Sequence, residues 1–185
     1  YREILPTAKQ VASIQELSSN RLLLGVGLGW MDAEFKALGI DRKTRGRRAD
    51  EFLVFLENAF NNEEVELNQQ KFLFKPNPPK PPIYIAGSKD YSIKRAVKHG
   101  DGWIPIVDKP EDLKTNLANY RELCKEAKKN SDKVSVVTRL DLSNKYLCIE
   151  KLSKFKEMGI ERLICGLPYN DLNDFLKKAD FLKNL

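Results

Sequence analysis

Leu22-Leu23-Leu24-Gly25-Val26-Gly27-Leu28-Gly29-Trp30 is an apolar run that turns glycine-rich at its end and leads straight into an acidic helix start, Met31-Asp32-Ala33-Glu34. Side chains alternate between the two faces of a strand. If the strand runs to its last glycine, Leu23, Gly25, Gly27 and Gly29 share one face, and Leu24, Val26 and Leu28 share the other. The second face suits packing against helices. The first has lost its side chains where the strand ends, which either serves a tight turn or lets a flat or phosphate-bearing ligand approach the backbone. Ile83-Tyr84-Ile85-Ala86-Gly87-Ser88 repeats the pattern, and the repetition favours the ligand.

Working outward from the first run, a helix is expected over residues 7–18, with Ala8, Val11, Ala12, Ile14 and Leu17 on its apolar face. After the run come a short helix carrying Phe35 and Leu38, stopped by Gly39, and a longer one over 44–60 that buries Phe52, Phe55, Leu56, Ala59 and Phe60. Residues 65–74 read as a small hairpin with Asn68, Gln69 and Gln70 near its turn, and five prolines between 76 and 82 give a stiff extended lead-in to Ile83. From there helices over 89–98, 110–123, 144–158 and 172–182 alternate with strands at 103–106, 134–138 and 162–166. Five strands, each followed by a helix, make an α/β chain with parallel pairing, because such crossovers are too long for hairpins. Periodicity leaves open a doubly wound sheet or part of a (β/α)8 barrel; both put ligands at the carboxyl ends of the strands.

The 185 residues, 42% hydrophobic and 31% charged, suit one domain with a sizeable core. The apolar stretches are strand-sized, too short to span a membrane. The net charge of +6 is mild and reads as a lysine-rich surface rather than a nucleic-acid face. Cys124, Cys148 and Cys165 have an odd count and no ligand spacing, which points to a reducing cytoplasm, and the lone His99 has no company for a metal site. Tyr1-Arg2-Glu3 begins neither with Met nor as a signal peptide, so the expectation is a chain that starts inside a longer one.

The densest basic run is Arg42, Lys43, Arg45, Arg47 and Arg48. Cations at a helix start oppose its dipole, so a carboxylate (Glu51 for Arg47), an interface or an anion has to compensate them. Asp101 reads as a turn or cap residue, and Trp30 as a wall of the site's mouth or a cover for a helix.

Taken together, Ala8-Lys9-Gln10-Val11-Ala12, the glycine run to Trp30, Glu34-Phe35 with Leu38-Gly39, Arg45, Arg48 and Glu51, Pro81-Pro82 through Ser88, and Gly100-Asp101-Gly102-Trp103 make the sequence resemble the bacterial-luciferase-like monooxygenase superfamily, especially its F420-dependent oxidoreductase branch. The resemblance is close over residues 1–106 and then fades to topology. It implies a partial (β/α)8 TIM-barrel-like α/β fold, with about five β/α units corresponding to strands four to eight. It treats 1–185 as a single luciferase-like domain with a hairpin insertion near 61–80. It further implies F420 or FMN in the cavity at the strand ends, the branch likeness favouring F420. Gly25, Gly27 and Gly29 would give the ring room; Gly87 and Ser88 would meet the phosphate or ribityl chain; Gly102 and Trp103 would lie near the phosphate end.

The function implied is a flavin- or F420-dependent oxidoreductase or monooxygenase acting on a small organic substrate. Two other readings compete with it: a reduced, non-catalytic flavoprotein, and an unrelated enzyme on a phosphate-binding barrel. No catalytic residue is assigned, because much of the family's substrate pocket comes from the strands absent here. Two exposed strand edges and an uncovered interior point to a homo-oligomer; no nucleic acid or membrane partner is expected.

Overall fold

A computed structural model describes residues 1–184 and divides the chain into two compact units, Tyr1–Ile85 with Lys98–Asp101, and Ala86–Val97 with Gly102 onward. Helix α1 spans Ile4–Leu17, earlier than expected, with Pro6 in its first turn. Its buried face is Ala8, Val11, Ala12 and Gln15, while Ile14 and Leu17 are 51% and 86% exposed. Gln15 replaces the leucine because it bridges two backbones. Its Nε2 donates to the Pro79 carbonyl at 3.0 Å, and its Oε1 accepts the Leu22 N–H at 3.2 Å. A buried amide with both ends satisfied holds the proline run against the start of the glycine strand.

Strand β1 covers only Leu24–Val26; from Gly27 onward the chain is a loop. It pairs in parallel with β4 (Ile83–Ala86), Leu24 opposite Ile83 and Val26 opposite Ile85. Between them lie α2 (Asp32–Ala37), a 3₁₀ turn at Arg42–Thr44, α3 (Arg45–Asn61) and the antiparallel hairpin β2 (Glu64–Leu67) and β3 (Gln70–Leu73). Helix α2 closes as Gly39 turns left-handed (φ +65°) and Ile40 N–H reaches the Phe35 carbonyl at 2.9 Å. In α3 the core face is Leu53, Phe55, Leu56, Ala59 and Phe60, with Phe52 half-buried. The hairpin turns on Asn68 and Gln69, both at positive φ, the backbone of a tight two-residue loop.

In the second unit β5 (Gly102–Ile104), β6 (Ser135–Arg139) and β7 (Arg162–Gly166) run parallel. Trp103 bridges to Val134, Ile106 to Val137, and β6 pairs with β7 over its whole length. Helices α4 (Asp90–His99), α5 (Lys114–Glu126), α6 (Lys145–Glu157) and α7 (Leu172–Lys183) follow β4 to β7 in turn, so the β/α rhythm read from the sequence is present. Asn144 caps α6 through the Leu147 N–H, and Asp171 caps α7 through the Asp174 N–H. One sheet face buries Trp103, Val134, Val136 and Thr138 under helices; on the other, Ile106 and Ile164 stay 63% and 44% exposed. Among the described residues β7 is hydrogen-bonded to β6 alone, and β1 to β4 alone, so the strands do not close a ring. No helix is long and apolar enough to cross a membrane.

Candidate active site

Within the first unit the end of β1 opens on a cavity of about 340 Å³. Gly25, Gly27 and Gly29 line it together with Phe35, Phe52, Arg45 and Arg48. Gly25 and Gly27 bring exposed backbone to this lining, as glycines at a strand end permit. Gly29 has a different reason to be glycine. Its φ is +79°, and a Cβ there would meet the Tyr1 ring at 2.9 Å. That ring stacks edge-on against Phe35, centroids 4.6 Å apart, and its hydroxyl donates to the Glu34 carboxylate. The hydrogen bond to Glu34 holds the Tyr1 phenol above its ordinary pKa. Trp30 is 76% exposed and is not part of the cavity wall.

In the second unit Gly87, Ser88 and Trp103 are brought together by hydrogen bonds. Trp103 is fully buried against Tyr120, ring centroids 5.2 Å apart, and its Nε1–H donates to the Gly87 carbonyl at 2.7 Å. Gly87 sits at φ +120°, where a Cβ would lie 2.5 Å from Ser92 Oγ. The Gly87 N–H reaches the Ile104 carbonyl at 3.0 Å. Ser88 Oγ accepts the Ile106 N–H at 3.2 Å and lies 3.3 Å from the Ile106 carbonyl, and the Ser88 carbonyl accepts Asn116 Nδ2–H at 3.0 Å. The loop is therefore rigid, and its hydroxyl is engaged with its own chain. In the first turn of α4 the Ser92 and Ile93 N–H groups both go to the Lys89 carbonyl, at 2.8 and 3.1 Å, and Asp90 adds a carboxylate there. Gly102 is buried at the start of β5.

Asp101 is structural in the way its position suggests. Its Oδ2 accepts the Ile83 N–H at 2.9 Å while its own N–H donates to the Ile83 carbonyl at 2.7 Å, and Lys80 stands 3.8 Å from the carboxylate. His99 ends α4 with Nε2 3.9 Å from Asp50. Among the described residues no group of three or more His, Cys, Asp or Glu is placed to hold a metal.

Sequence reasoning missed the division of labour within the basic run. Arg47 pairs with Glu51 at 2.8 Å in the open, whereas Arg45 and Arg48, three residues apart on α3, line the cavity. It also missed the Tyr1–Glu34 pair, for which no local pattern exists.

Comparison with known proteins places this geometry. The luciferase-like monooxygenase family matches residues 2–143. An uncharacterized protein of Mycobacterium tuberculosis is 28% identical over 170 residues, spanning 88% of this chain and 57% of the relative. The chain thus covers somewhat more than half the length of such relatives. An FMNH2-dependent dimethylsulfone monooxygenase of Pseudomonas putida is 26% identical over 125 residues, 62% of this chain and 34% of that protein. In fold the chain is similar to an F420-dependent secondary alcohol dehydrogenase solved with an F420–acetone adduct: TM-score 0.72, 16% identity, covering 94% of this chain and 73% of that one. The five parallel β/α units are a segment of that TIM-barrel-like α/β architecture, and the chain belongs to the luciferase-like monooxygenase family.

Proposed function

We propose that this chain forms part of a flavin- or F420-dependent oxidoreductase or monooxygenase that acts on a small organic substrate in the cytoplasm. The observation that carries the reading is the cavity at the end of β1, floored by the bare backbone of Gly25 and Gly27 and walled by Phe35 and Phe52. Its size falls within the range of about 300–1,000 Å³ typical of small-molecule sites. Family membership supplies the cofactor class, since FMNH2 and F420 stand in the names of the proteins it is similar to.

In this reading Gly25, Gly27 and Gly29 keep side chains away from the ring. In the second unit, taken by itself, Gly87 and Ser88 are the proposed contacts for a phosphate-bearing group. Gly102 is buried beside Trp103, and the Trp103 Nε1–H fixes the Gly87 carbonyl and so supports that loop. The bound cofactor supplies hydride or oxygen transfer, while the protein orients it and shields it from water. Residues 1–185 form one luciferase-like domain with the hairpin near 61–80 as an insertion, and the open edges of β1 and β7 favour a homo-oligomer.

The test is titration of the purified chain with FMN and with F420, read by quenching of cofactor fluorescence, with sedimentation for assembly state. Saturable binding of either is expected, and Gly27→Val should weaken it at least tenfold while leaving secondary structure intact. Binding of neither at high micromolar concentration would refute the proposal.

A further inference from the structure

The first turn of α3 holds Arg45, Arg47 and Arg48 and no acidic residue, and Thr44 before it provides no side-chain cap. Positive charge at a helix start is disfavoured by the helix dipole. Arg47 is neutralised by Glu51, and both are exposed. The other two are not matched in this way. Arg45 spends Nη1 on the Arg42 carbonyl at 2.9 Å and makes no ion pair among the described residues. Arg48 reaches Glu3 through one nitrogen at 3.3 Å, and that carboxylate is 75% exposed. A guanidinium carries five N–H donors in a planar fork, so both arginines keep most of their capacity unspent.

Both are half-buried and line the cavity floored by Gly25 and Gly27. Among the described carboxylates near this wall, Glu34 is occupied by the Tyr1 hydroxyl. Asp32 and Asp41 share a neighbouring cleft with Arg45, but Asp32 pairs with Lys36 at 3.0 Å and Asp41 accepts the Lys43 N–H at 2.8 Å. Phe35 and Phe52 face the same space. The arrangement is a slot with aromatic walls and the half-buried forks of Arg45 and Arg48, with the exposed Arg2 also in its lining, the combination that recognises an oxyanion carried on an organic body.

We propose that Arg45 and Arg48 are specificity-determining residues that hold the sulfonate, phosphate or carboxylate group of a small organic ligand in this cavity. The inference rests on the reading above for treating the cavity as the ligand site, and it extends that reading from a small organic substrate to an anionic one. The oxyanion has two sources, a substrate or the charged tail of the cofactor, and the two respond differently to the same variants.

The experiment titrates the full chain with benzenesulfonate, phenyl phosphate and benzoate, and with benzyl alcohol as an uncharged analogue, by calorimetry at low and high salt. At least one anion is expected to bind at least tenfold tighter than benzyl alcohol, and more weakly as salt rises. Arg45→Gln and Arg48→Gln should each lower that affinity roughly tenfold to a hundredfold, the range of a charge-assisted hydrogen bond. Arg45→Lys, which keeps the charge and loses the fork, should fall between, and Arg47→Gln should change nothing.

FMN and riboflavin titrated into the same variants separate the sources. Selective loss of FMN affinity assigns the oxyanion to the cofactor tail, and unchanged FMN affinity with lost benzenesulfonate, phenyl phosphate or benzoate affinity assigns it to the substrate. Equal binding of anions and benzyl alcohol, or anion affinity unaltered in both Arg→Gln variants, overturns the inference. That result is independent of cofactor binding, which tests the oxidoreductase reading alone.

Discussion

Replacing Gly87 by alanine asks whether this glycine serves the chain or a ligand. At φ +120° an L-residue occupies a region that costs about 1–3 kcal/mol. The new Cβ would also lie 2.5 Å from Ser92 Oγ and 3.1 Å from Ser92 Cβ. Ser92 is 3% exposed in the first turn of α4, so its hydroxyl has little room to retreat, and such overpacking adds roughly 1–2 kcal/mol. The sum, about 2–5 kcal/mol, corresponds to a drop in Tm of roughly 7–14 °C at its middle for a chain of this size. Thermal unfolding followed by far-UV circular dichroism reads it directly. Gly87→Ala, Ser92→Gly and the double variant form a cycle. Because Ser92→Gly removes the clash and leaves the backbone strain, the double should lose about 1 kcal/mol less than the sum of the singles. A Gly87→Ala protein melting within about 2 °C of the parent refutes the strain argument; strict additivity refutes the clash. If the double variant also binds cofactor as the parent does, Gly87 is explained by its own neighbours.

Gln15→Leu leaves the Pro79 carbonyl and the Leu22 N–H without a buried partner, and should cost about 2–4 kcal/mol in denaturant unfolding; a loss under about 0.5 kcal/mol would show that the clamp contributes nothing. Burial pushes the thiols of Cys124, Cys148 and Cys165 above their ordinary range. All three should therefore react with Ellman's reagent more slowly in the native state than after unfolding, with Cys165, the least buried, reacting first; a burst from Cys124 would contradict this. The hydrogen bond from Lys178, with help from the Asn170 N–H, holds the Asp174 carboxyl below the usual carboxylate range. Its folded pKa lies below its unfolded one, so its contribution is present above the unfolded value and lost as pH falls through the folded value. Amide exchange in α7, corrected for intrinsic rate, should rise on acidification below about pH 4, and less steeply in Asp174→Asn; identical pH profiles would remove this role.

Much of the architecture is written in local pattern. Short apolar runs, ended by glycine at β1, β4 and β7, alternate with helical periodicity and give β1, β4, β5, β6 and β7 and their helices, because β/α crossovers impose their own rhythm. The exceptions have physical causes. Ile14 and Leu17 continue the apolar stripe of α1 but face solvent, while Gln15 takes the buried position and spends its amide on the Pro79 carbonyl and the Leu22 N–H. The hairpin stands where the sequence placed it, although its turn, Asn68-Gln69, adopts a backbone that Asn-Gly usually signals. Ile149 belongs to the helical pattern of α6 and is still 40% exposed, with Cys148 and Phe155 taking the buried face. In the candidate site the glycines were legible as glycines, but their separate reasons were not. Tyr1 beside Gly29 and Ser92 beside Gly87 are contacts that only the folded chain brings about. Likewise five cations between residues 42 and 48 look alike in sequence, and helix geometry alone turns two of them toward a cavity.

One margin of the second unit has a consequence for how the protein behaves in bulk. Among the described residues the amides and carbonyls of β7 on the side away from β6 have no strand to meet, and Ile164 stands wetted on the adjoining face. Such a border acts as a template: any extended peptide laid along it gains a ladder of hydrogen bonds without refolding anything. A strand laid there, from the same polypeptide or from another molecule, would take the place that water otherwise fills along this border.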